Sequence, residues 1–297
     1  ANKKAFENLI LAGGLDSFKD THRAQYLNSD GDGITFLEKI MRFGTKFQEH
    51  LNSSQISLFG EETDNSYQDL TIPHCEPWSN LIRLKKEKEV VGIYISSHPL
   101  DDFEHEMNHF VSISLNHLTN LESFINREVT VGGIVNEVEH LESRLGKGWA
   151  RFSIEDFTDQ FEFRIFGEEY LKYRHFLVVN QFIRIKIMIR QGWTNSETGR
   201  VGSPRVQFLS FEMLYNTIEK NAKKLILQLD VKKINEEKID ALEEHLKNFK
   251  GDKPLVFKIY DPEKKIKLTL NSKKQKVKIT QDLLNELDRQ ELYYKLN

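Results

Sequence analysis

Two stretches of the chain gather the side chains that chemistry needs. "SSHPLDDF" (96–103) sets His98 ahead of Asp101 and Asp102, a set able to hold a metal or move a proton. With Pro99 between them, the simpler reading is a structured turn whose histidine bonds to backbone. "NSDGDGITFLEK" (28–39) puts Asn28, Asp30, Asp32 and Gly33 at the first, third, fifth and sixth positions of a calcium loop. The bidentate glutamate is missing: the twelfth position is Lys39, Glu38 comes one residue early, and so does the apolar Ile34. This stretch reads as an Asp/Gly turn that caps the following helix. His74 and Cys75 have no further ligands nearby, and no CxxC or HExxH is present, which excludes the usual structural zinc and zinc-protease patterns. No catalytic residue, metal ligand or cofactor is therefore assigned.

The side chains that point to binding lie where the apolar period changes to two. From Arg127 onward, 129–135, 148–157, 160–166, 182–190 and 205–214 alternate as strands, with Ile183, Ile185, Ile187 and Ile189 giving the cleanest alternation in the chain. A short helix at 168–177 separates the third strand from the fourth. Five strands with a helix in that place is the order of an OB-fold, a small closed barrel. On the faces opposite the core stand Trp149, Arg151 and Arg164, then Arg184, Lys186 and Arg190. Arg144 and Lys147 sit in the first hairpin, and Trp193 follows the fourth strand. Aromatic rings that stack bases beside cations that hold phosphates are the equipment of a single-strand-binding surface. Phe166, on the same face, is read instead as packing under the 168–177 helix.

A different signal is "NSSQISLFGEE" (52–62), in which Ile56, Leu58 and Phe59 interrupt a polar, acidic stretch. Such a trio anchors a loop on its own domain or hooks into a groove on another protein. Burying Leu58 and Phe59 would gain roughly 1.5–3 kcal/mol each. Ordering the loop takes much of that back, which leaves a weak tether.

The remaining elements frame these sites. Residues 2–50 read as helical: Phe6, Leu9 and Ile10 share one face before Gly13–Gly14, and Phe36, Ile40, Phe43 and Phe47 mark a helix over 34–51. Residues 52–80 read as extended, and 88–95 as a helix ahead of the Pro99 turn. After Leu214 a polar link leads to a small α+β module. It has a strand at 225–231, a helix over 235–251 capped by Asn235 and stopped by Gly251, two strands about Asp261–Pro262, and a closing helix from Thr280 through Leu292. A cut between Tyr215 and Lys223 is expected to leave the barrel folded.

With 297 residues, there is length for two or three domains. The net charge of −3 hides a gradient: 11 Lys/Arg against 19 Asp/Glu over 1–126, 12 against 12 over 127–215, and 19 against 14 over 216–297. A chain that coated duplex by charge alone would be more basic, so any nucleic-acid contact must be local. No apolar run approaches the roughly 20 residues that span a bilayer, and no secretory signal is read at the N-terminus. One cysteine, Cys75, excludes an internal disulfide and fits a reducing compartment.

The order of these pieces resembles one family. "NKKAFENLILAGGLDSF" and "HRAQYL", then "QISLF", then "VVGIYISSHPLDDF", then "FSIEDFTDQFEFRIFGEEYLKY" and a small α+β tail are similar to the C-terminal portion of the α subunit of bacterial DNA polymerase III. The resemblance covers nearly the whole chain and weakens after Lys220. It implies a multidomain α+β fragment of a cytoplasmic DNA-directed DNA polymerase, a nucleotidyltransferase, whose palm carboxylates lie upstream. It also implies five segments. They are the closing helices of a helix-hairpin-helix element (1–51), a loop with a clamp-binding motif (52–87), a connecting segment (88–126), an OB-fold barrel (127–215) and a C-terminal α+β module (223–297). Within them, Gln55, Ile56, Leu58 and Phe59 would bind the sliding clamp, the OB-fold would handle single-stranded DNA, and the module would dock the clamp loader. Two other readings stay open on the residues alone. One is the tRNA-binding OB region of an aminoacyl-tRNA synthetase-like protein, which gives no reason for "QISLF" or for the tail. The other is a generic single-strand-binding protein, which would usually be shorter.

Overall fold

In the computed structural model the described residues are all but 1, 30, 32, 53–69 and 194–201. They form a mixed α+β structure with two sheets, divided into two compact units, Ala1–Pro99 and Leu100–Asn297.

The first unit is helical. Helix α1 (Lys3–Leu11) is capped by the Asn2 side chain, which accepts from the Ala5 amide, and ends before Gly13 at φ +88°. A β-carbon on Gly13 would fall 2.2 Å from Nη2 of Arg23, so only glycine lets the guanidinium pass. Helices α2 (Arg23–Leu27) and α3 (Phe36–Asn52) complete a small core of Ile10, Tyr26, Phe36 and Leu37. The turn before α3 is a capping box: the Glu38 amide donates to Thr35 Oγ1, and the Glu38 carboxylate accepts from the Thr35 amide. Glu38 is thus spent on a helix end. Helix α4 (Asn80–Val91) starts under the Ser79 cap and ends at Gly92 in the left-handed region. This corrects the expected loop over 80–87 and shifts the helix expected at 88–95. Its short apolar run fits either period, and the caps decide the bounds.

Arg23 ties this unit together from inside. It is 6% exposed, and it donates to Asp16 at 2.6 Å, to the Leu11 carbonyl at 3.0 Å and to Glu87 at 3.1 Å. Glu87 is fully buried on α4. Its carboxylate also accepts from the Ile95 amide, and from the Ser96 amide and hydroxyl at 2.7 and 2.6 Å. Burial alone would raise the Glu87 pKa; the bonds from Ser96, Ile95 and Arg23 outweigh it and hold the group at about 2.

The second unit holds both sheets. Helix α5 (Glu104–Phe110) leads to strands β1 (Glu128–Glu142), β2 (Gly148–Glu155) and β3 (Gln160–Phe166). Helix α6 (Gly167–Tyr173) and strands β4 (Phe182–Arg190) and β5 (Arg205–Met213) follow. All neighbours are antiparallel, in the order β3-β2-β1-β4-β5. The alternating residues Val129, Val131, Phe152, Ile154, Phe163, Ile165 and the four β4 isoleucines fill one core. The barrel is not closed: among the described residues β3 and β5 are unpaired edges. Alternation reports which face is buried, not whether two edge strands meet, so the sequence could not settle closure.

The opposite face of β1 and β4 is partly covered. Gly132 lies under α5, where a β-carbon would sit 2.8 Å from the Met107 sulfur. Leu100, Met107 and Leu214 pack there with Phe103, Val111 and Phe182.

The second sheet runs β8-β7-β6-β9. Its members are β6 (Leu225–Asp230), β7 (Lys250–Asp261), β8 (Ile266–Val277) and β9 (Tyr293–Leu296). Helix α7 (Thr217–Asn221) precedes it, α8 (Glu236–Asn248) connects the parallel pair β6 and β7, and α9 (Gln281–Arg289) precedes β9. Asn235 caps α8 as expected. Gly251 is not its stop: it lies in β7, where a β-carbon would fall 2.4 Å from the Lys278 amide. Strand β9 is also unforeseen, because four residues behind a strongly amphipathic helix show no period of their own.

Residues 217–222 are not a polar link either. Ile218 and Ala222, with Phe110 of α5, belong to the core of this module beside Leu225, Leu227 and Leu284. His105 of α5 joins them: Nε2 lies 2.7 Å from Asn285 Oδ1 and Nδ1 2.9 Å from the Tyr294 hydroxyl. An amide oxygen only accepts, so Nε2 donates to Asn285. Burial, then the Asp288 charge, pushes the Tyr294 pKa up.

Candidate nucleic-acid interface

The face of β1–β2–β3 opposite the core is set by register. Leu141, Trp149 and Phe166 form one row across the three strands; Glu139, Arg151 and Arg164 form the next; Glu137, Ser153 and Glu162 form a third. Trp149 and Phe166 stack, with centroids 5.2 Å apart and planes at 18°. Phe166 is 55% exposed, so it does not pack under α6 as expected but completes an aromatic platform with Trp149. The register row was the missing signal: Trp149 near the start of β2 meets Phe166 at the end of β3 only when the hairpin length is known.

The arginines beside this platform are not free. Arg151 donates to Glu139 at 2.8 Å and lies 3.6 Å from Glu162, while Arg164 donates to Glu162 at 3.2 Å. The hydrogen bond from Glu139, then the charges of Glu139 and Glu162, push the Arg151 pKa further up. Three carboxylates (Glu137, Glu139, Glu162) thus face two guanidinium groups on this surface.

The other sequence-predicted residues divide by place. Arg144 and Lys147 are exposed in the β1–β2 hairpin, with Gly146 at φ +69° at its turn. Arg184 is drawn inside: its guanidinium donates to the Phe110 carbonyl and to Glu212, both at 2.9 Å, and its side chain is only 14% exposed. Lys186 pairs with Glu128 at 2.5 Å. Arg190 donates to Gln207 at 3.0 Å near the strand end, and Trp193 is 62% exposed beyond it. At that point the chain is pinched: the Gly202 amide donates to the Trp193 carbonyl at 2.9 Å, and a β-carbon on Gly192 would lie 2.0 Å from the Gly202 oxygen. The structure therefore brings Trp149, Arg151 and Arg164 together and separates Arg184 from them. Gln55, Ile56, Leu58 and Phe59 lie outside the described residues.

His98 meets the edge of the Tyr94 ring at 5.0 Å, and Asp101 and Asp102 form a short 3-10 turn with Phe103. Among the described residues no group of three His, Cys, Asp or Glu is arranged to hold a metal, and no helix is long and apolar enough to cross a membrane. In the C-terminal module an open groove of about 1000 Å³ is lined by Leu229, Ile234, Ile239, Leu242, Ile259 and Leu268.

Residues 225–297 match the family described as DNA polymerase III alpha subunit, C-terminal domain. The DNA polymerase III subunit alpha of Borreliella burgdorferi is 27% identical over 283 residues, covering 91% of this chain and 23% of that protein. That of Treponema pallidum is 30% identical over 165 residues, covering 56% of this chain and 13% of that protein. The resemblance to the C-terminal region of the bacterial α subunit thus holds, and the chain spans less than a quarter of the length of these relatives. A small single-stranded DNA-binding protein from Streptomyces coelicolor aligns with a TM-score of 0.17 and 10% identity, over 30% of this chain and 94% of that one, too little likeness to bear on the fold.

Proposed function

We propose that this chain is the template- and clamp-handling region of a replicative, cytoplasmic DNA polymerase α subunit. The β1–β5 sheet is read as an OB-type module, for which a partly open barrel with a binding face on its second and third strands is usual. The observation that carries the strand-binding part is the stack of Trp149 on Phe166 on that face, with the basic β1–β2 hairpin beside it. Bases stack on the rings, and phosphates run past Arg144 and Lys147. The clamp role of Gln55, Ile56, Leu58 and Phe59 rests on their spacing, and the loader role of the module on the family resemblance, to which the apolar groove adds a surface. Reading residues 1–51 as the end of a helix-hairpin-helix element rests on sequence order. No polymerase chemistry and no cofactor is assigned to these residues.

The reading is tested by two binding measurements on the full chain. Fluorescence anisotropy with oligothymidylate at low salt is expected to show binding that Trp149→Ala weakens. Co-elution with the cognate sliding clamp is expected to be lost in the double variant Leu58→Ala/Phe59→Ala, with thermal stability unchanged. A wild-type chain that binds no oligonucleotide at low salt overturns the strand-binding role. A double variant that melts several degrees lower yet still co-elutes overturns the hook.

A further inference from the structure

The four-stranded sheet has a second face, closed over at Ile226 but exposed along the rows beyond it. Helices α8 and α9 pack on the side of Leu225, Leu227, Leu255 and Phe257. The other side is read from the register: Tyr293, Gln228, Lys258 and Thr269 form one row across β9, β6, β7 and β8, and Asp230, Tyr260 and Lys267 form the next. Lys295 follows Tyr293 by two residues and shares its side. Lys258, Tyr260, Lys267, Tyr293 and Lys295 are all exposed, Tyr293 at 73%. Lys267 stands over the Tyr260 ring, 5.6 Å from its centroid.

We propose that this face is a second binding surface for single-stranded nucleic acid, separate from the Trp149 face. Three features argue for that ligand. The cations are available: among the described residues none of Lys258, Lys267 and Lys295 is in an ion pair, in contrast to Arg151 and Arg164. Asp230 is the carboxylate in these two rows, and it accepts the Lys232 amide at the strand end. The aromatic rings are spaced across the sheet rather than stacked on each other, since Tyr293 and Tyr260 lie two strand spacings and one row apart, about 12 Å. Rings set apart on a sheet, with lysines between them, can each stack one base and lend its phosphate a cation: Tyr293 offers its ring directly, and at Tyr260 the base takes the place of Lys267, which turns to the phosphate. The segment from 216 to 297 is also the most basic of the chain, with 19 Lys/Arg against 14 Asp/Glu.

The test uses the full chain with oligothymidylate at low salt. A 5-iodouridine-substituted oligonucleotide maps the contact by cross-linking, and anisotropy measures affinity in a Trp149→Ala/Phe166→Ala background that weakens the first face. Cross-links at Tyr260 or Tyr293, and a five-fold or greater loss of affinity on changing both tyrosines to alanine, are expected. Changing Lys258, Lys267 and Lys295 together to Gln is expected to flatten the slope of log K against log salt by about 2, at roughly 0.7 per phosphate. All five positions are exposed, so circular dichroism is expected to stay unchanged. Cross-links confined to the Trp149 side, or unchanged affinity in both variants, overturn the proposal. So does an oligoglutamate that binds as tightly as the oligonucleotide and is indifferent to the two tyrosines, because the face then reads charge alone and fits an acidic peptide.

Discussion

Arg151 and Glu139 stand opposite each other on β2 and β1 and are joined by a hydrogen bond of 2.8 Å. A cation that looks available in the sequence is thus committed to a neighbouring carboxylate, with Glu162 at 3.6 Å on its other side. Exposed pairs of this kind contribute little to stability, roughly 0–1 kcal/mol. Their effect on an arriving phosphate is larger, because the phosphate must displace the carboxylate.

The first prediction follows from that competition. Glu139→Gln is expected to tighten binding of oligothymidylate by about two- to five-fold at low salt, and to steepen the salt dependence by about 0.7 as Arg151 gains a phosphate. Arg151→Ala is expected to change affinity little. Anisotropy titrations at several salt concentrations measure both. An Arg151→Ala loss as large as that of Trp149→Ala would show the guanidinium to be a contact despite its pair.

Stacking is a separate term. Base–aromatic stacking is worth roughly 1–3 kcal/mol per base. Trp149→Ala and Phe166→Ala are each expected to weaken single-strand binding five-fold or more, with no change in salt slope. Because the rings touch, the double variant should lose less than the sum of the two losses. Strict additivity in the same titrations would mean that the rings act on different bases.

Glu87 predicts acid sensitivity in the helical unit. Its folded pKa, about 2, lies below the ordinary 4.5, so its stabilisation is complete above pH 4.5 and fades as the pH falls toward 2. Amide exchange of α1, α2 and α4 should quicken over that window. In Glu87→Gln the acid step should vanish, while protection at neutral pH falls by about 1–3 kcal/mol, because Arg23 loses one of its two carboxylate partners and keeps Asp16. A mutant that keeps the wild-type acid profile would place the sensitive group elsewhere.

A cut after Tyr215 is expected to leave β1–β5 folded and to loosen α5. The cut removes Ile218, Ala222, Asn285 and Tyr294, which cover Phe110 and hold His105. Hydrogen exchange on a chain ending at Tyr215 should show lost protection over 104–110 and retained protection over β1, β2 and β4. Equal loss throughout would make the second unit a single cooperative body.

Much of this architecture was legible in the residues. The β4 isoleucines, the Asn235 cap and the Asp261–Pro262 turn declare their elements because each is a local device with a fixed period or offset. What stayed hidden depends on pairing at long range. The edges of the first sheet, the meeting of Trp149 with Phe166, the burial of Arg184 against Phe110 and the sharing of Phe110 with the C-terminal core all need a register or a crossing that no single segment encodes. Arg23 shows the same limit: nothing in "HRAQYL" announces a guanidinium that binds Glu87 from 64 residues away.

The pinch at Gly192 and Gly202 gives the molecule a port for engineering. The two strands β4 and β5 are brought together by the Trp193–Gly202 hydrogen bond and the close glycine contact, ahead of whatever peptide is placed between them. Sequence inserted there begins and ends at points the fold already holds, and each doubling of a loop's length costs only about 0.6 kcal/mol in closure entropy. A dye-labelled or epitope-bearing cassette should therefore be carried without moving the sheet, and it would place a reporter within reach of Trp193. Gly192 itself tolerates no such freedom, since any side chain there would wedge the stem apart.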